Sequence, residues 1–198
     1  MFDHLNKLIS NKKIFIKKDY FEIVVDKNEI IPILKILKED GSLKFNQLID
    51  ITAIDYPSKK SRFTLIYIIQ SLIKNKRVLL KVLLEEKDQV DTITSIFKAA
   101  NWYERECYDL FGVMFKNHPD LRRIMTDYNF EGHPLRKDFP LTGHTEVRYD
   151  DLEKKVIYEP VKLTQEFRNF DYESPWSGIA DSLTQKNESN TKEDDERS

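Results

Sequence analysis

Two short apolar runs rich in β-branched and aromatic side chains, KIFIK (13–17) and FEIVV (21–25), lie near the start of the chain. Their composition predicts strands. After Asn28 the pattern becomes helical: Ile30, Ile31, Leu34 and Leu37 recur at helical spacing. Pro32 is tolerated only in a first turn, so the helix is expected to begin near Asn28, with Gly41 closing it. Three longer β-rich runs follow, QLIDITAI (47–54), RFTLIYIIQ (62–70) and RVLLKVLL (77–84). Their nearly continuous apolarity predicts central strands, the last two joined by a short Lys/Asn segment as an antiparallel hairpin. Val90, Ile93, Ile96, Phe97 and Ala100 form a second helical stripe, with Asp88 as a cap and Asp91 in its first turn. The order β-β-α-β-β-β-α predicts an α+β fold, a small mixed sheet with helices, rather than a doubly wound one.

The stretch ERECYDLFG (104–112) continues helically, with Tyr103, Cys107, Leu110, Phe111 and Met114 on one face and Gly112 as a left-handed stop. Cys107 therefore reads as a small buried hydrophobe; nothing cationic on that face would lower its pKa. Arg105 and Asp109, four residues apart, point the other way and are placed to pair on the outer face. Glu104 and Glu106 flank the stripe. They could be a general acid and base, or could anchor a returning Arg122, Arg123 or Arg136. Anchoring is favoured, because no nucleophile or phosphate loop accompanies them.

Beyond Gly112 the pattern dissolves. Five of the seven prolines and four of the five glycines fall between Gly112 and Gly178, and no periodicity persists there. Yet this stretch carries Tyr128, Phe130, Phe139, Tyr149, Tyr158, Phe167, Phe170, Tyr172 and Trp176, too aromatic for a solvated linker. A long structureless segment rarely belongs inside a compact domain, so a mostly irregular C-terminal arm laid on another protein is expected. The organisation is then an α+β domain over 1–115, a partner-binding arm over 116–178 and a polar tail over 179–198. Arg122, Arg123, Arg136 and Asp138, with Phe139, Phe167 and Trp176 as aromatic anchors, are the docking candidates.

Composition narrows the functions. The 198 residues are 40% apolar, with 33% charged and a net charge of -2, which gives no bulk attraction to nucleic acid or anionic lipid. Residues 104–148 hold seven Lys/Arg against eight Asp/Glu, a mixture suited to specific protein contacts. A single cysteine excludes an intramolecular disulfide and any multi-cysteine zinc or iron–sulfur cage supplied by this chain alone. The spacing of His118, His133 and His144 matches no zinc pattern, so these read as turn residues bonded to backbone. FTLIYIIQSLI (63–73), the longest apolar run, is too short to span a bilayer. MFDHLNKLISNKK lacks a signal core or an Arg/Ser-rich transit pattern.

The run ERECYDLFGVMFKNHPDLRRIM (104–125), followed by EGHPLRKDFPLTG (131–143), resembles the signature of the C-subunit family of NADH-quinone oxidoreductase, respiratory complex I. In mitochondria the same protein is called NADH dehydrogenase subunit 9 or iron–sulfur protein 3. LIDITAIDYP (48–57) and YEPVKLTQEFRNFDYESPW (158–176) extend the similarity to about residues 20–178. The resemblance implies an α+β core subunit with a long arm on the D-subunit, the large hydrogenase-like component of the quinone module. It also implies that FMN, iron–sulfur clusters and quinone reside in neighbours, with none bound by this chain. The chain would then be a subunit of a proton-translocating NADH:ubiquinone reductase without catalytic residues of its own. The location expected is the matrix side of the mitochondrial inner membrane, or alternatively the cytoplasmic face of a bacterial membrane. Two rivals are an independent adaptor and a hydrolase built on Glu104, Glu106 and His118.

Overall fold

The computed structural model of the chain describes residues 2–9, 12, 14–163 and 165; Phe167, Trp176 and the polar stretch 179–198 lie outside them. Five strands, β1 (Ile14–Ile16), β2 (Tyr20–Val25), β3 (Gln47–Asp55), β4 (Phe63–Ser71) and β5 (Lys76–Leu84), form one sheet in the order β1-β2-β5-β4-β3. Only the β2–β5 pair is parallel. A helix labelled α2 (Ile30–Glu39) carries the chain from β2 to the far edge, and the β3-β4-β5 meander then walks back. The sheet is thus mixed, and the fold is α+β as the sequence order requires.

The expected strands and first stripe hold. Ile30, Ile33, Leu34 and Leu37 are the buried side of α2, and Pro32 sits in its first turn. Along β4 every residue except Ile68 and Gln70 is buried, which is why the run had to be apolar throughout. An unforeseen short helix, α1 (Phe2–Leu8), precedes the sheet, and Leu5 and Ile9 join the core. Burial of each such side chain contributes about 1.5–3 kcal/mol.

The helix expected over 88–100 does not form. Val90 lies in a short strand, β6 (Gln89–Asp91), paired in parallel with β7 (Met114–Lys116), where it faces Phe115. Ile93, Ile96 and Phe97 are buried in turns instead. The stripe correctly marked burial, but the strand partner lies beyond Gly112 and leaves no local trace. Asp88 caps a turn, accepting from the Glu85 backbone N–H at 2.9 Å. The long helix, α3 (Ala100–Phe111), starts where the expected one was to end and stops at Gly112, whose φ of 78° is the left-handed cap foreseen. Met114 falls beyond the helix, in β7.

Residues 117–144 contain no helix or strand, as expected of an irregular segment. A hairpin then appears where none was foreseen: β8 (Thr145–Asp150) and β9 (Lys155–Pro160) pair as a two-stranded sheet. Arg148 bridges to Glu159 across it at 3.1 Å, and Asp150 caps its turn through the Leu152 and Glu153 N–H groups. One compact unit spans Met1–Glu159.

Candidate functional site

At 100° per residue, Ala100, Glu104, Cys107 and Phe111 make one narrow stripe of α3, and all four are buried. Arg105 and Asp109 lie on the opposite side, about half a turn away. The helix is covered there too, by the backbone of 122–126. Arg105 donates to the carbonyls of Arg122 (3.1 Å) and Arg123 (3.2 Å). Asp109, fully buried, accepts from the N–H groups of Ile124 (3.0 Å), Met125 (2.7 Å) and Thr126 (2.9 Å), from the Thr126 hydroxyl (2.6 Å) and from Arg123 Nη1 (2.6 Å). Arg105 and Asp109 therefore do not pair with each other on an open face. One holds the carbonyls and the other the amides of the same returning segment. Burial alone would raise the Asp109 carboxyl, but the Thr126 hydroxyl and amide, Arg123 and the Met125 amide together hold it well below the usual carboxylate range.

A second acid anchors the next stretch. Asp55, at the end of β3, takes a bidentate bond from Arg62 (2.8 and 3.1 Å) and one from the Lys137 N–H (2.8 Å). Arg62 also reaches Asp138 (2.9 Å) and Glu86 (3.2 Å). Arg136 donates to the Phe111 carbonyl (2.6 Å) and to Glu86 (3.2 Å). Both guanidinium groups stand over the Phe63 ring, at 5.3 and 5.2 Å. The bond from Arg62 is the chief reason the Asp55 carboxyl is held down. Replacing Arg62 with Lys would keep the charge but lose the fork. The expected result is a destabilisation of about 1–3 kcal/mol in urea unfolding, with faster exchange of the Lys137 amide.

Glu104 departs from the anchoring role expected of it. It accepts from the Thr92 hydroxyl and from the Ile93 N–H (2.8 Å), and its Oε2 lies 3.8 Å from His118 Nε2, both side chains being fully buried. No arginine reaches it, because its helical phase turns it to the core. Glu106 has no ion pair among the described residues. The Asp120 N–H donates to His118 Nδ1 (3.1 Å), so Nε2 carries the proton and donates to the Asn101 carbonyl (3.1 Å). The imidazole is held between two backbone groups. His133 likewise bonds the Asp109 carbonyl (2.8 Å), and His144 packs its edge on Phe139.

Burial raises the Glu104 pKa from 4.5 to about 7. The folded chain keeps this proton through a range in which the unfolded chain has lost it. Its contribution is therefore most favourable below about pH 4.5 and falls away by about 3 kcal/mol as pH rises through 7. Glu104→Gln, which keeps an acceptor for the Ile93 N–H and turns its amide N–H toward the Thr92 hydroxyl oxygen, should flatten the stability profile between about pH 5 and 8 and raise stability above 7. Urea midpoints across pH would show it.

Of the docking candidates, Arg123, Arg136, Asp138 and Phe139 are engaged within the chain: Phe139 stacks on Phe130 at 5.7 Å, and Arg123 also donates to the Gly132 carbonyl (2.9 Å). Arg122 is exposed beside Asp120. Asp55, Arg62 and Glu86 went unnoticed in the sequence. The one available signal was an acid and an arginine facing each other across the β3–β4 turn. Cys107 is buried as expected. Its thiol donates to the Ile51 carbonyl at 3.1 Å, and burial pushes its pKa well up.

Glu104 and His118 have no access to solvent, and Glu106 does not join them, so the hydrolase constellation does not converge. A groove of about 680 Å³ lies elsewhere, against Phe130, Phe139, His144, Val147 and Tyr158. Among the described residues no three His, Cys, Asp or Glu side chains group as a metal would need, and no helix is long and apolar enough to cross a membrane.

These features define an α+β domain whose buried acids serve to fix a returning segment. The family model of the respiratory-chain NADH dehydrogenase 30 kDa subunit matches residues 23–145. The NADH-quinone oxidoreductase C-subunit of Hyphomonas neptunium is 52% identical over 157 residues, covering 79% of this chain and 78% of that one. The corresponding C-subunit of Methylobacterium sp. strain 4-46 is 54% identical over 160 residues, covering 81% and 74%. A chain in the structure of the membrane-bound sulfane sulfur reductase, an archaeal respiratory membrane complex, superposes with a TM-score of 0.63 at 25% identity, over 71% of this chain and 84% of that one. The chain belongs to the 30 kDa subunit family of respiratory-chain NADH dehydrogenase, the C-subunit family of NADH-quinone oxidoreductase.

Proposed function

We propose that this chain is a structural core subunit of an NADH-quinone oxidoreductase, complex I, and that it binds no cofactor itself. Its task is to hold neighbouring subunits in register, chiefly the large hydrogenase-like D-subunit of the quinone module, while electrons pass from NADH to quinone through groups in those neighbours. Such positioning is worth effort, since misplacing reacting groups by about 1 Å costs rate heavily. The observation that carries the reading is Asp109. A single buried carboxylate accepting three consecutive amides, a hydroxyl and a guanidinium fixes the path of 122–126. The exposed faces of that segment then become a rigid surface.

The relatives named above are bacterial, which supports the cytoplasmic face of a bacterial membrane over the mitochondrial matrix side. Co-expression with the cognate hydrogenase-like subunit tests the proposal. The pair should co-elute, and the purified chain alone should show neither flavin absorbance nor iron above background. A chain that elutes alone, or carries flavin or iron, would overturn it.

A further inference from the structure

Two turns lie side by side at one end of the sheet. β2 and β5 run parallel with Tyr20 opposite Arg77, so the β1–β2 turn (17–19) and the β4–β5 turn (72–75) enter neighbouring strands from the same edge. Adjacent strands are about 4.8 Å apart, so the turns form one continuous surface. It is basic. Lys17, Lys18, Lys74, Lys76 and Arg77 stand against the single acid Asp19, and none of the five cations has an ion pair among the described residues. The net charge of the whole chain is -2, so this concentration of positive charge is local. It is also apolar. Leu72 and Ile73 are 63% and 66% exposed at the turn, and Phe15 and Ile16 of β1, on the other side of β2, are exposed as well. Large apolar side chains ringed by unpaired cations are costly to leave in water and mark an interaction surface.

We infer that this sheet end docks an acidic segment of another protein, one whose carboxylates meet Lys17, Lys18, Lys74, Lys76 and Arg77 while its apolar side chains cover Leu72 and Ile73. Charge complementarity selects an acidic partner. Strand geometry selects a protein over an anionic bilayer: Phe15 and Ile16 are consecutive in β1, so they point to opposite faces of the sheet. A flat lipid surface meets one of them; a chain laid over the sheet end meets both. The surface is distinct from the groove at Phe130 and Tyr158 and from the segment fixed by Asp109, so it adds a second contact to the assembly proposed above.

The test places a photo-crosslinking amino acid at Ile73 of the full chain and irradiates intact cells before the NADH dehydrogenase particle is isolated. Adducts are thus read whether or not the chain enters the particle, and its absence from the particle would count against the assembly reading alone. The expected adduct is a protein peptide rich in Asp and Glu. Its yield should fall about 10-fold when Lys74→Glu and Lys76→Glu are combined, with the melting transition of the purified variant unchanged. A lipid adduct, a neutral or basic peptide, no adduct, or a yield indifferent to the charge reversal would overturn the inference.

Discussion

Asp109→Ala should destabilise the domain by about 3–5 kcal/mol, the range for removing one partner of a buried, hydrogen-bonded charge pair. Arg123 would lose its carboxylate, and the amides of Ile124, Met125 and Thr126 would lose their acceptor together. At this chain length such a loss corresponds to a fall in Tm of about 10 °C. Hydrogen exchange should localise it, with those three amides exchanging early while the amides of β4 stay protected. The pH sign follows from the depressed carboxyl of Asp109. Its contribution is present above the ordinary carboxylate pKa of 3.8 and disappears as pH falls through its lower folded-state value. The difference between wild type and variant should therefore be constant near neutrality and shrink only in strong acid. A loss below about 1 kcal/mol would mean that 122–126 is held by something other than this acid.

Gly112→Ala should be the second most damaging change, at about 2–4 kcal/mol. Its φ of 78° disfavours any L side chain, and an added Cβ would stand 2.7 Å from His133 Cδ2 and collide with the Arg136 guanidinium. Arg136 has little freedom to move away, being tied to Phe111 and Glu86. The substitution should thus loosen the returning segment as well as the helix end. Faster exchange of the Leu135 amide, which bonds the Leu110 carbonyl at 3.0 Å, distinguishes this from simple fraying of α3. If only the last turn of α3 frays, the close approach is not the cause.

The parts of the fold visible in the sequence are those whose determinants are local. The β3-β4-β5 meander is written in continuous apolar runs, α2 in its stripe and its proline, and the end of α3 in Gly112. The parts that were not visible depend on partners distant in sequence. β6 is a strand only because Phe115 returns beside Val90, and its apolar spacing suits a helix equally well. The hairpin β8–β9 is exposed along most of its length, so its side chains carry little of the alternation that burial imposes.

The candidate site divides along the same line. That an acid of ERECYDLFG would hold a returning arginine was legible; which acid was not. Glu104 looked eligible by its charge, yet its phase with Ala100, Cys107 and Phe111 sends it inward to Thr92 and Ile93. Asp109 looked solvent-facing because it lies opposite the core stripe. A segment that covers a second side of a helix is invisible to a one-face reading of amphipathicity. Asp55 and Arg62 had no motif at all, only adjacency across a turn.

Blue-native fractionation of membranes from cells carrying wild-type chain or Asp109→Asn, with mass spectrometry of each band and NADH:quinone turnover per assembled particle, tests the scaffold reading most directly. The wild-type chain should migrate with the large NADH dehydrogenase particle. The variant should lower the amount of particle while leaving turnover per assembled particle unchanged. A chain missing from the particle, or a normal amount of particle with reduced turnover, would contradict it.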